Sequence, residues 1–90
     1  MSAIPRWKLQ DNELVAEFHF ANFAEALAFV VRVGLVAEKS NHHPEIRNTY
    51  NKVCLRLTTH DAGGITQLDF DLAHQIDAIL NPGSGLRESG

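Results

Sequence analysis

Imidazoles, carboxylates and a proline are concentrated in residues 38–69: Glu38, the adjacent His42 and His43, Pro44, Tyr50, His60 and Asp69. Three of the chain's five histidines lie there. An imidazole, with an unperturbed pKa of about 6.5, can give or take a proton at neutral pH, so the leading chemistry is proton transfer to and from a bound molecule. The same three rings could instead hold zinc with an open water position, but ligand spacing on a regular element is lacking, and no metal is expected.

These residues can act together only if the fold gathers them. Residues 45–59 alternate between apolar and polar types, interrupted at Asn51-Lys52. A two-residue loop there pairs Tyr50 with Val53, Ile46 with Leu57 and His43 with His60. Directly opposed residues have Cβ atoms only about 4.5–5.5 Å apart, so this register brings the histidines together at the open end of a hairpin. It also sets Arg47 against Arg56, a like-charge pair that Glu45 or solvent must relieve.

Around this hairpin, residues 7–10 and 14–20 alternate on either side of the turn signal Asp11-Asn12 and predict a first hairpin. From Asn22 the period becomes helical, with Asn22 as cap and Glu25 in the capping-box position, and the helix runs to about Lys39. A second helix starts at Thr66 and Asp69 and stops at Asn81-Pro82. The expected fold is therefore α+β, a four-stranded antiparallel sheet with two helices packed on one face, in the order β-β-α-β-β-α. Residues 1–82 read as one domain, and residues 83–90, rich in glycine and serine, as a mobile tail.

Ninety residues suffice for one core and not for two. A net charge of −3 and a pI near 5.9, with Lys and Arg dispersed along the sequence, offer no footprint for direct nucleic-acid binding. No stretch has the length of a membrane span or the layout of a signal peptide. The single cysteine, Cys54, cannot form an internal disulfide and reads as a structural thiol, so a reducing cytoplasm is the simplest compartment. The first helix is apolar on two sides: Phe23, Leu27, Val30, Gly34 and Ala37 on one, Ala26, Phe29, Val33 and Val36 on the other. Only Glu25, Arg32 and Lys39 mark its narrow polar stripe, which predicts burial against a second chain.

The run 37–44, Ala-Glu-Lys-Ser-Asn-His-His-Pro, followed by Asn48, Tyr50-Asn51-Lys52-Val53, Thr59-His60 and Asp69, closely resembles the signature of the pterin-4a-carbinolamine dehydratases, also known as the dimerisation cofactor of a homeodomain transcription factor. Weaker similarity reaches back through Phe18-His19-Phe20 to Trp7. Only residues 1–6 precede Trp7, so the family's additional N-terminal helix is expected to be missing. The resemblance implies a hydro-lyase that dehydrates 4a-hydroxytetrahydropterin, the tetrahydrobiopterin carbinolamine for example, to quinonoid dihydropterin in pterin cofactor recycling. It implies no cofactor, and a homodimer or homotetramer formed through sheet edges and the long helix.

Carried over residue by residue, the resemblance makes His42, His43 and His60 the catalytic and binding histidines, with His42 and His60 transferring protons and His43 holding the ring. Asn41, Thr58, Thr59 and Asp61 join them as substrate-binding residues, and Glu38 and Asp69 support the site. Asn41 departs from the aspartate frequent at its position and cannot act as a carboxylate. Pro44 biases His43 towards an extended backbone, directing the two neighbouring rings apart. Asp69 is explained first as a helix-start residue and Tyr50 as a cross-strand packing aromatic. The same fold without catalysis, as a protein-binding or assembly factor, is the alternative.

Overall fold

The computed structural model describes residues 6–80. They form β1 (Lys8–Gln10), β2 (Glu13–His19), α1 (Phe23–Ser40), β3 (Glu45–Thr49), β4 (Lys52–Leu57) and α2 (Gln67–Leu80), with one turn of 3-10 helix at His60–Ala62. The strands make a single antiparallel sheet in the spatial order β1-β2-β4-β3, and both helices bury their apolar sides against one of its faces, as the alternation and the helical periods predict. The expected tail at 83–90, the stop at Asn81-Pro82 and the missing N-terminal helix lie outside the described residues.

Inward-facing Leu14, Ala16 and Phe18 of β2 and Val53, Leu55 and Leu57 of β4 meet Phe29 and Val33 of α1 and Leu72 and Ile76 of α2 in one core. Trp7 closes its edge, its ring 5.9 Å from that of Phe18 in an edge-on arrangement. Its indole N–H donates to Asp77 at 3.1 Å, which satisfies the polar tip of a buried aromatic. α1 starts as its sequence signals: Asn22 accepts from the Glu25 N–H at 2.9 Å, and the Glu25 carboxylate reaches back to the Ala21 N–H at 3.3 Å.

The two hairpins differ in how closely they follow expectation. Between β1 and β2, Asp11 and Asn12 both adopt positive φ, 51° and 64°, in a two-residue turn whose twist matches the strands. Between β3 and β4 the loop is Tyr50-Asn51 rather than Asn51-Lys52, and the pairs are Thr49 with Lys52, Ile46 with Leu55 and Glu45 with Arg56. Two local forces account for this register. The Asn48 side-chain amide donates to the carbonyls of Tyr50 and Lys52 at 3.1 and 3.0 Å, strapping the turn one residue early. The shift also removes the Arg47–Arg56 opposition: Arg56 now faces Glu45 across the ladder and holds Glu13 at 2.7 Å, a hydrogen bond that raises the guanidinium pKa against the opposing effect of burial. Tyr50 is consequently an exposed turn residue with φ of 50°, not a cross-strand packing aromatic.

The predicted second apolar side of α1 is present, with a different membership. Phe23, Leu27, Val31 and Leu35 form an exposed ridge at spacing four, whereas Ala37 is buried and Val30 packs partly against the core. No helix among the described residues is long and apolar enough to cross a membrane.

Candidate active site

α1 ends in a way that delivers the histidine pair. Asn41 takes the left-handed conformation, φ 54° and ψ 38°, and its N–H bonds the Glu38 carbonyl while the His42 N–H bonds that of Ala37 at 3.1 Å. This is a Schellman stop, with asparagine in the position glycine usually takes because its side chain tolerates positive φ. Asn41 thus has a backbone role here. The chain leaves the stop extended into β3, with Pro44 between, and the two imidazoles part as expected.

His42 turns inward. Its Nε2 lies 2.6 Å from Oδ1 of Asp69, and the pair is nearly closed to solvent, the His42 side chain 13% exposed and that of Asp69 0%. A carboxylate can only accept, so Nε2 carries the proton of this bond and Nδ1 is the nitrogen left for a ligand. The other oxygen, Oδ2, accepts from the Thr59 hydroxyl at 2.8 Å and from the Thr66 N–H at 2.9 Å. The Thr66 N–H belongs to the start of α2, so Asp69 caps that helix as expected and grips His42 at the same time. The hydrogen bond to His42 is what reading Asp69 as a structural residue first left out. A buried carboxylate demands several donors, and the nearby ring is one of them.

His43 turns outward. Its Nε2 meets the Glu38 carboxylate at 2.9 Å, with both side chains well exposed at 59% and 81%.

His60 reaches the site by a different route from the predicted one. It does not pair with His43, because β4 ends at Leu57 and β3 begins at Glu45. Thr59 and Gly64 instead close a small loop through reciprocal backbone bonds of 2.9 and 3.3 Å, and His60 opens the 3-10 turn at its tip. Gly63, at φ 74°, supplies the left-handed residue that brings the chain back. The His60 ring has no hydrogen bond or ion pair to another described residue.

The three histidines nevertheless line one open depression of about 380 Å³ together with Asn41, Thr58, Thr59, Asp61 and Leu68. Every sequence-predicted substrate-binding residue is on its wall, and Glu38 and Asp69 hold two of the rings from behind. Its size suits a small molecule. Thr58 is tied to the first hairpin by a 3.3 Å bond from its hydroxyl to the Asn12 carbonyl. A larger depression, about 470 Å³, lies over the outer sheet face around Val15, Glu17, Cys54 and Arg56. None of the described residues lining it is a histidine, and its Arg56 and Glu17 are already paired, with Glu13 and Lys52. Among the described residues no three His, Cys, Asp or Glu side chains are grouped so as to hold a metal ion.

Residues 1–79 match the family model described as pterin 4 alpha carbinolamine dehydratase. A Chloroflexus aurantiacus protein with the provisional name pterin-4-alpha-carbinolamine dehydratase is 54% identical over 76 residues, 84% of this chain and 82% of its own. A Prochlorococcus marinus protein with the same provisional name is 50% identical over 78 residues, 87% of this chain and 81% of its own. Among solved structures, a transcriptional coactivator/pterin dehydratase from Brucella melitensis superposes with a TM-score of 0.79 at 38% identity, covering 83% of this chain and 82% of that one. A pterin dehydratase-like RuBisCO assembly factor of the alpha-carboxysome, with a TM-score of 0.67 at 23% identity over 82% of this chain and 86% of its own, shares the fold.

Proposed function

The chain belongs to the pterin 4 alpha carbinolamine dehydratase family, and from that premise we propose that it dehydrates 4a-hydroxytetrahydropterin, the tetrahydrobiopterin carbinolamine included, to quinonoid dihydropterin. The observation that carries this reading is the convergence of His42, His43 and His60 on one depression, with His42 gripped by a buried carboxylate.

The reaction breaks the C4a–O bond and the N5–H bond and forms the C4a–N5 double bond, releasing one water with no change of oxidation state. It needs one proton delivered to the leaving hydroxyl and one removed from N5. His42 suits the second task. With Nε2–H given to Asp69, its Nδ1 is free to accept the N5 proton, and the carboxylate stabilises the imidazolium that forms. His60, whose ring no described residue restrains, donates to the hydroxyl in its protonated form. His43 borders the ring, oriented by Glu38, and Asn41, Thr58, Thr59 and Asp61 offer amide, hydroxyl and carboxylate groups to the pterin edge. No cofactor or metal enters the scheme.

The α1 ridge of Phe23, Leu27, Val31 and Leu35 supports self-association to a homodimer or homotetramer, which sedimentation of the purified chain measures directly. A reducing cytoplasm suits its lone thiol. The other reading of this fold, a protein-binding or assembly factor without catalysis, has no use for an imidazole held by a buried carboxylate.

Stopped-flow dehydration of freshly generated carbinolamine tests the proposal. His42→Ala and His60→Ala should each slow turnover by about 10²-fold or more, the usual worth of a positioned acid or base. Equal rates for the native chain and both variants would return the protein to the non-catalytic reading.

A further inference from the structure

Among the described residues, Leu68 is the one apolar side chain on the wall of the histidine depression, and it stands there 51% exposed. The other large exposed apolar residues among those described lie elsewhere: the α1 ridge, Leu9 on the edge strand and Tyr50 in a turn. Leu68 contributes little to the core, so folding does not account for its position.

That position is also fixed. Leu68 occupies the first turn of α2, its N–H bonded to the Thr66 hydroxyl at 3.3 Å. The next residue is Asp69, gripped by His42, Thr59 and the Thr66 N–H. The leucine is thus held in a constant relation to His42 by the bonds that hold the imidazole.

The remaining wall consists of imidazoles, hydroxyls, an amide and a carboxylate, groups that bond to the edge of a ring. A bicyclic heterocycle presents polar edges and two flat faces that gain by leaving water. We infer that Leu68 is the apolar platform against which one face of the bound pterin ring rests, and so a specificity-determining residue that selects for the flat ring rather than for the substituent at C6. This rests on the dehydratase reading for the identity of the ligand.

The test is direct binding of two stable pterins that do not react, a 7,8-dihydropterin carrying a methyl group at C6 and one carrying a polyhydroxylated chain, followed by their fluorescence. Leu68→Asn keeps the side chain's size and removes its apolar character, and Leu68→Met restores that character. For both pterins the Kd should rise about 3- to 10-fold in the asparagine variant, the range expected for losing burial of half a leucine, and stay within about twofold in the methionine variant. Matching thermal unfolding curves establish that both variants are folded. An unchanged Kd in Leu68→Asn, a rise confined to the long-chain pterin, or failure of the native chain to bind either pterin overturns the inference. Native binding without accelerated dehydration would instead sink the dehydratase reading and leave the platform in place.

Discussion

Neighbours in sequence, His42 and His43 each hold a carboxylate through Nε2, at 2.6 and 2.9 Å, yet one pair is sealed and the other stands in water. Geometry by itself would make them equivalent. Burial separates them. In the sealed pair neither partner can exchange the other for solvent, and the carboxylate has two further donors fixing its plane, so the ring has one orientation and one tautomer. In the exposed pair water competes at both ends, and such pairs contribute roughly 0–1 kcal/mol. The wall that carries His42 is therefore rigid and the wall that carries His43 adjustable.

Substitution of the two carboxylates puts this contrast at risk most directly. Asp69→Asn should have the larger effect, because an amide has a single acceptor oxygen where the carboxylate uses two to accept from His42, Thr59 and Thr66. We expect turnover to fall by about 10- to 100-fold and stability by about 1–3 kcal/mol, read by stopped-flow dehydration and by urea unfolding. Near-native turnover in that variant would mean that the buried pair does not orient the reacting ring. Glu38→Gln should be the mild counterpart, with stability within about 0.5 kcal/mol of native and a KM change of no more than about twofold. A loss of turnover there comparable to that of Asp69→Asn would erase the distinction between the two walls.

How far the sequence specified this arrangement differs from element to element. The turn at Asp11-Asn12 was legible because both residues tolerate positive φ and nothing distant competes with them. The start of α1 was legible because Asn22 and Glu25 satisfy each other's neighbourhood within a few residues. The β3–β4 register was not. Choosing between Tyr50-Asn51 and Asn51-Lys52 depends on where Asn48 sends its amide and on the Asn51 side chain reaching the Phe20 carbonyl at 2.9 Å, a contact 31 residues away. The approach of His60 escaped for a similar reason: Gly63-Gly64 announces a turn, but the Thr59–Gly64 closure that aims the loop depends on backbone bonds no side-chain type encodes. The three histidines were grouped from their types and an expected hairpin register that the structure does not have, and the resemblance of residues 37–69 to a family signature added Asn41, Thr58, Thr59 and Asp61. The cluster's anchoring on Asp69 became visible only with distances.

The carboxylate of Asp69 serves two masters, a helix terminus and an imidazole, and the two obligations constrain change unequally. A lineage on this fold that abandoned the chemistry could replace His42 with any side chain able to satisfy one oxygen. Replacing Asp69 would unseat the beginning of α2 as well. The helix terminus alone is therefore reason enough for an aspartate to persist at position 69 after its imidazole partner has gone.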